Sequence, residues 1–163
     1  MKCVIFDFDL TLFDSQSLEA LRSRRQWKIV YEKLKECSFY PNAKNIIKQL
    51  REEGIQVAIV TNAPKSYIER ALIFHHVQVD FVIAYHDVSR HKPDPEGIIK
   101  VLNYYSLESW ETVYIGDNDI DHNSAINARI PFLGVEWGEY SKPNVQKINY
   151  TNFLEALHNI SPL

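Results

Sequence analysis

The sequence predicts an α/β fold in which helices cover both faces of one parallel, doubly wound sheet. Short apolar runs rich in Val, Ile and Phe alternate with helical stretches along the chain, which is the pattern of such folds. Polar residues follow successive strands where each strand ends. In a parallel sheet these ends share one edge, where ligands bind. The 163 residues are enough for one domain and too few for two ordinary ones, so we expect a single domain over residues 1–163.

The first predicted strand is the apolar run Lys2-Cys3-Val4-Ile5-Phe6, and two carboxylates, Asp7 and Asp9, follow it directly. Carboxylates this close repel each other unless a cation or a shared proton relieves them. The stretch therefore indicates either a hard cation such as Mg²⁺, which prefers oxygen ligands, or an acid–base pair. A turn or a helix N-cap is the structural alternative at this point, and only the later motifs decide between them.

A helical segment without Pro or Gly follows at residues 16–37. Its apolar spacing slips near residues 22–25, so we expect either one bent helix or two short helices. The segment carries the basic residues Arg22, Arg24, Arg25, Lys28, Lys33 and Lys35. We interpret them as a solvated basic face, and the alternative is an anion-attracting flank of an active site.

The rest of the chain continues the alternation. The spacing predicts strands at 55–60, 81–84, 112–115 and 131–135, and helices at 43–53, 64–75, 96–105 and 153–159. A further helix follows Asp121 and ends near residue 129. Thr61 and Asn62 follow the second strand, Lys92 lies in the loop beyond the third, and Asp117 and Asp121 follow the fourth. Each of these polar groups could be explained by local structure alone. No single structural explanation, however, accounts for polar groups at all four strand ends.

Composition excludes several classes of function. The net charge of −3 gives no general attraction to nucleic acid or to an anionic membrane. No run approaches the ~18 apolar residues of a membrane span, and the chain reaches Asp7 before a signal-peptide core develops. Two cysteines are too few for a disulfide scaffold. We therefore expect a cytoplasmic protein with neither a nucleic-acid nor a membrane partner.

Four ordered motifs resemble those of the haloacid dehalogenase superfamily, and in particular its small-cap, phosphoglycolate-phosphatase-like subgroup. They are Asp7-Phe8-Asp9-Leu10-Thr11, Thr61-Asn62, Lys92-Pro93-Asp94-Pro95, and Gly116-Asp117 with Asp121. The resemblance implies a Rossmann-like sheet of five core strands in the order 5-4-1-2-3. It also implies a reduced helical cap, for which residues 15–40 are available. The family usually has glycine where this chain has Leu10, a departure that we expect to leave the chemistry untouched.

The resemblance implies a phosphomonoester hydrolase that acts through an aspartyl-phosphate intermediate. In that interpretation Asp7 is the nucleophile and Asp9 is the general acid and base. Thr61 and Lys92 complete the catalytic set. Thr61, Asn62 and Lys92 bind the substrate phosphate.

The resemblance also implies Mg²⁺ as the cofactor. Its expected ligands are Asp7, the backbone carbonyl of Asp9, and Asp117, with Asp121 in the coordination shell or directly behind it. The ion would neutralise charge between the carboxylate nucleophile and the anionic phosphate.

The expected substrate is a small phosphorylated metabolite or nucleotide. Two alternatives stay open: a phosphotransferase or phosphomutase that uses the same intermediate, and a binding protein that keeps the fold without turnover. Residues 15–40 are too few to enclose their own core, so they must pack on the main domain or on another subunit. We expect an active site substantially open to solvent with poor discrimination between leaving groups, unless a homo-oligomer or a protein partner covers it.

Overall fold

The main sheet of the fold is fully parallel and has six strands. The computed structural model describes residues 1–142 and 144–160. The strands of the described residues are β1 (Cys3–Phe6), β2 (Phe13–Asp14), β3 (Ser38–Phe39), β4 (Gln56–Val60), β5 (Phe81–Ile83), β6 (Thr112–Asn118), β7 (Phe132–Glu139) and β8 (Lys147–Ile148). Of these, β2 and β3 form a separate two-stranded sheet. The order across the main sheet is β5-β4-β1-β6-β7-β8, and all neighbours are parallel. For the five predicted strands this is the order 5-4-1-2-3, so the predicted fold class is confirmed.

The later strands differ from the prediction. β6 runs on to Asn118, beyond the predicted end at residue 115, so Asp117 lies within the strand and does not follow it. β8 adds a sixth strand to the five that were expected, and β7 runs on to Glu139, beyond the predicted end at residue 135. Residues 143 and 161–163 of the predicted single domain lie outside the described residues.

Helices cover the two faces of the sheet. The helices of the described chain are α1 (Glu19–Ser23), α2 (Trp27–Lys33), α3 (Ala43–Glu52), α4 (Lys65–Phe74), α5 (Glu96–Tyr105), α6 (Asp119–Ala128) and α7 (Phe153–His158). Among them there is none with the length and apolar character needed to cross a membrane.

The side chains of β1 alternate between two buried clusters, as expected for a strand covered on both faces. Val4 and Phe6 belong to the cluster that contains residues of α3, α4 and α7. Cys3 and Ile5 belong to the second cluster, which α5 and α6 complete. The central strand is therefore anchored on both faces, and its carboxyl end, where Asp7 follows, is held in a fixed place.

The insertion segment, residues 15–40, lies between β1 and α3. It contains α1 and α2 with a break at Arg25, whose φ is +55°, so the alternative of two short helices is confirmed. Val30, Leu34 and Cys37 are buried in the same cluster as the sheet, which means that the segment packs on the main domain of its own chain. At its ends β2 and β3 pair in antiparallel fashion, with Phe13 opposite Phe39.

Candidate active site

The predicted site residues meet at the carboxyl edge of the parallel sheet. A cavity of about 510 Å³ lies at this edge. Its lining includes all the predicted site residues, namely Asp7, Asp9, Thr61, Asn62, Lys92, Asp117 and Asp121. The adjacent positions of β1, β4 and β6 in the sheet explain how motifs about 110 residues apart in the sequence converge.

The buried ammonium of Lys92 connects several of these residues. Lys92 Nζ lies 2.6 Å from Asp7 Oδ1 and 2.6 Å from Asp121 Oδ1, and it donates to Tyr114 Oη over 3.0 Å. Asp7, Asp117 and Asp121 each offer a carboxylate oxygen, and these oxygens lie within 4.8 Å of one another. Lys92 therefore pairs with Asp7 and Asp121, and Asp117 lies beside them as a third acidic group without an ion pair to Lys92 among the described contacts.

The pKa values reflect this crowding. Burial raises the pKa of Asp7 well above its usual range; the Lys92 ammonium opposes the rise, and the carboxylates of Asp121 and Asp117 add to it. Burial also raises the pKa of Asp117 to about 7, again with a contribution from Asp121. Burial by itself would lower the pKa of Lys92, but the neighbouring Asp121 and Asp7 raise it well above its usual range. The ammonium therefore stays charged.

The donor set fits a hard divalent cation. Buried carboxylate oxygens are the ligands that Mg²⁺ prefers, and burial raises the pKa values of Asp7 and Asp117. The carboxylate of Asp9 is not one of these three groups. Its expected contribution is the backbone carbonyl, and that assignment stays a prediction.

Gly116 allows Asp121 to approach the end of β6. A Cβ atom on Gly116 would lie 2.3 Å from Asp121 Cβ, a distance that the packed core cannot accommodate. The backbone N–H of Asp117 donates to Asp121 Oδ2 over 3.2 Å. Asn118 caps α6 by accepting from the backbone N–H groups of Ile120 and Asp121. Together these contacts hold Asp121 fully buried beside Lys92.

Thr61 and Asn62 make different contacts. The Thr61 hydroxyl oxygen accepts from the Ala63 backbone N–H over 3.1 Å, and a hydroxyl that accepts in this way keeps its own O–H for another acceptor. The Asn62 side chain accepts from the Lys92 N–H and donates to the Lys92 carbonyl, both over 3.1 Å. Asn62 therefore holds the Lys92 backbone in place. Its direct contact with substrate stays a prediction.

Three residues to which sequence reasoning assigned no role support the site. The Thr11 hydroxyl lies 3.2 Å from Asp117 Oδ1 and 3.4 Å from Asp7 Oδ2, and Tyr150 Oη donates to the Thr11 carbonyl over 2.8 Å. Tyr114 Oη accepts from Lys92 and donates to the Val60 carbonyl. The signal that could have identified Tyr114 is a tyrosine within a buried strand, because its hydroxyl needs a partner there.

The insertion segment contacts Asp9 directly. Asp9 Oδ1 accepts from Ser15 Oγ over 2.6 Å and from Tyr67 Oη over 2.8 Å, and Arg22 Nη1 lies 2.6 Å from Asp9 Oδ2. The interpretation of the basic residues as a solvated face is wrong for Arg22, whose side chain is 16% exposed. The other five are exposed, as that interpretation expects, but Arg25 also lines the cavity.

The insertion segment also forms one wall of the cavity. Glu19, Arg22, Ser23, Arg25 and Trp27 line it together with the residues of the sheet edge. The solvent-open site expected for residues 15–40 stays a prediction.

Leu10 occupies a backbone conformation that favours glycine. Its φ is +61°, in the left-handed region where a Cβ is unfavourable, which agrees with the glycine usual in the family at this position. Leu10 lines the cavity, and its carbonyl accepts a 2.7 Å hydrogen bond from Trp137 Nε1. The departure from glycine therefore places an apolar side chain at the site.

Comparison with known proteins agrees with this geometry. The family described as "Haloacid dehalogenase-like hydrolase" matches residues 17–135, most of the chain. A phosphoglycolate phosphatase of Psychrobacter arcticus is 29% identical over 126 residues, covering 76% of this chain and 54% of that protein. The pyrophosphatase PpaX of Bacillus cereus is 25% identical over 126 residues, covering 76% of this chain and 58% of that protein. The chain thus spans about half the length of the curated relatives it matches.

Solved structures share the fold. The crystal structure of CbbY from Rhodobacter sphaeroides in complex with phosphate aligns with a TM-score of 0.78 at 13% identity, covering 91% of this chain and 93% of that chain. The sheet order, the residues gathered at its carboxyl edge and the family match lead to one conclusion. The chain belongs to the haloacid dehalogenase-like hydrolase family.

Proposed function

We propose that the protein is a Mg²⁺-dependent phosphomonoester hydrolase that forms an aspartyl-phosphate on Asp7. One observation carries the proposal: Asp7, the Lys92 ammonium 2.6 Å away, and the carboxylates of Asp117 and Asp121 line the same cavity. A nucleophilic carboxylate, a cation for phosphate and a set of metal ligands are the parts that phosphoryl transfer needs.

In the first step a carboxylate oxygen of Asp7 attacks phosphorus and the bond from phosphorus to the leaving oxygen breaks. Asp9 gives a proton to that oxygen, so the leaving group departs as an alcohol. Lys92 and the Thr61 hydroxyl hold the phosphoryl oxygens, because one supplies a point charge and the other a hydrogen-bond donor.

In the second step water attacks the phosphorus of the aspartyl-phosphate. Asp9 takes a proton from the water, the bond between phosphorus and Asp7 breaks, and inorganic phosphate is released with the Asp7 carboxylate restored.

Asp7, Asp117, Asp121 and the Asp9 carbonyl would hold Mg²⁺, which when bound supplies the positive charge that offsets repulsion between the carboxylate and the phosphate. The excess of carboxylates over ammonium in the described site supports this assignment.

The substrate that we propose is a small phosphorylated metabolite or nucleotide. A cavity of about 510 Å³ suits a molecule of this size. The exposed Arg25 also lines this cavity. Relatives named phosphoglycolate phosphatase and pyrophosphatase support a substrate with a second anionic group.

The decisive experiment measures hydrolysis of p-nitrophenyl phosphate with Mg²⁺ and with EDTA, in wild type, Asp7→Asn and Asp14→Asn. Asp14 is an exposed aspartate and serves as the matched control. We expect activity to require Mg²⁺, to vanish in Asp7→Asn and to persist in Asp14→Asn. Mass spectrometry after acid quench should detect a phosphorylated wild-type protein.

Four outcomes would oppose the proposal. Wild-type turnover in Asp7→Asn would remove the nucleophile, and full activity in chelator would remove the metal. Phosphate transferred to an acceptor alcohol in place of water would favour a phosphotransferase or phosphomutase. Absence of turnover on a panel that includes phosphoglycolate, pyrophosphate and nucleotides would favour a binding protein.

A further inference from the structure

Tyr67 and Arg22, which contact the Asp9 carboxylate, are themselves held in place by packing. Tyr67 is fully buried. Its ring lies edge-on to Phe8, with ring centroids 5.9 Å apart, and 6.0 Å from Trp27 of the insertion segment. The side chains of Arg22 and Asp9 are only 16% and 12% exposed. Because water is largely kept from these contacts, they are stronger and more directional than a surface ion pair.

The contacts use both oxygens of the Asp9 carboxylate. In the part of the chain that the structure describes, Oδ1 accepts from Ser15 and Tyr67, and Oδ2 accepts from Arg22. A carboxylate held at one oxygen can rotate about its side-chain bonds, whereas one held at both has its plane and direction fixed. A general acid depends on that direction, because displacement by about 1 Å can cost roughly a hundredfold in rate.

We propose that Tyr67 and Arg22 are positioning residues, which hold the Asp9 carboxylate in the orientation needed for proton transfer to the leaving group. The inference rests on the proposed function of Asp9. It gives the insertion segment a second role besides forming a wall of the cavity, since Arg22 lies on α1 and the Trp27 that packs on Tyr67 lies on α2.

The dependence on the leaving group tests the inference. Ethyl phosphate needs its leaving oxygen protonated, whereas p-nitrophenolate departs readily without an acid. Rapid-quench measurement of phosphoenzyme formation isolates this first step from the later attack of water. In Tyr67→Phe we expect the rate with ethyl phosphate to fall about ten- to a hundredfold. The rate with p-nitrophenyl phosphate should change by less than about threefold.

Tyr31→Phe is the matched control for Tyr67→Phe. Tyr31 also places a hydroxyl between the insertion segment and α4, with Oη 2.8 Å from Ser66 Oγ, but it does not touch Asp9. Its removal should leave both rates unchanged. Arg22→Gln provides an independent second variant, with exposed Arg24→Gln as its control, so a folding defect in one variant leaves the other test intact.

Combination with Asp9→Asn shows whether the two residues act through Asp9. Adding Tyr67→Phe or Arg22→Gln to Asp9→Asn should change the ethyl phosphate rate by less than about twofold, because the group that they position is already gone. An undiminished effect in that background would overturn the inference.

The remaining outcomes separate the two proposals. If wild type forms no phosphoenzyme from either substrate, the proposed function fails and the positioning role fails with it. If wild type reacts but Tyr67→Phe slows both substrates equally, only the positioning role is overturned. If Arg22→Gln raises KM for anionic substrates and leaves the leaving-group dependence unchanged, Arg22 binds substrate and its positioning role is overturned.

Discussion

Among single residues, Asp117 shows how strongly the site departs from ordinary solution chemistry. Burial and the nearby Asp121 raise its pKa to about 7, whereas an aspartate in an unfolded chain titrates near ~3.9. Ionisation of Asp117 therefore opposes folding of the metal-free protein. The penalty is absent below about pH 4, grows as the pH rises, and is complete somewhat above pH 7.

Replacing Asp117 by asparagine should therefore stabilise the metal-free protein at high pH. We expect Asp117→Asn to raise the free energy of unfolding on the order of 2–4 kcal/mol at pH 8 and by almost nothing at pH 4, since one pKa unit is worth about 1.36 kcal/mol. Urea denaturation in EDTA at both pH values measures the difference. Equal stability of the two proteins at pH 8 would contradict the prediction.

Gly116 is the second residue with a sharply defined consequence. Because an added Cβ would lie 2.3 Å from Asp121 Cβ, Gly116→Ala should displace Asp121, weaken Mg²⁺ binding at least about tenfold, and cost about 1–3 kcal/mol of stability. Gly54→Ala is the control, because a Cβ at Gly54 has no neighbour among the described residues within 4 Å although its φ is +78°. It should lose stability but keep its Mg²⁺ affinity, measured by calorimetry.

At the level of elements, the insertion segment belongs to the main core. Val30 and Leu34 are buried with the side chains that cover the sheet. The Tyr31 hydroxyl is hydrogen-bonded to the Ser66 hydroxyl of α4. Such a segment is too short to be stable by itself and draws its stability from these tertiary contacts. We therefore expect α1 and α2 to unfold together with the sheet.

Leu34→Ala tests this coupling. Removal of a buried leucine side chain typically costs about 2–5 kcal/mol, so the variant should show one cooperative urea transition at a lower midpoint. Ile29→Ala on the same helical segment is the control, because Ile29 is 39% exposed, and it should change stability by less than about 1 kcal/mol. A separate early transition by circular dichroism would show that the segment unfolds independently.

For the molecule as a whole, metal binding should be linked to both stability and pH. A cation that binds only the folded state raises the melting temperature, and it must displace the protons that the raised pKa values of Asp7 and Asp117 favour. Millimolar Mg²⁺ should therefore raise the melting temperature more at pH 8 than at pH 5.5. NaCl at equal ionic strength is the control, and a shift of equal size at both pH values would contradict the linkage.

The sheet and the residues at its edge could be predicted from the sequence because their signals are local. β1 is an apolar run that ends on Asp7, and β4 is another that ends before Thr61. Parallel topology then places both ends at one edge without knowledge of any contact. β8 has no such signal, since Lys147–Ile148 is only two residues long.

The partners of Asp9 could not be predicted, because they depend on tertiary packing. The spacing of basic residues along the insertion segment shows which of them could share a helix face, but it does not show that Arg22 Nη1 lies 2.6 Å from Asp9 Oδ2. Likewise Tyr67 is an ordinary apolar position of α4 until the fold brings its hydroxyl to Asp9. Local periodicity identifies buried faces, and it carries no information about which polar atoms meet.

The antiparallel pairing of β2 with β3 brings the two ends of the insertion segment together. Since Phe13 lies opposite Phe39, the chain leaves and re-enters the main domain at a single point, and the entropic cost of closing a loop there rises only slowly with its length. A segment of different length could therefore be grafted between these strands, provided that it also covered the core surface that Val30 and Leu34 cover. Such a graft would also remove the Arg22 contact to Asp9, so substrate range and turnover would change together unless the new segment supplied another donor to that carboxylate.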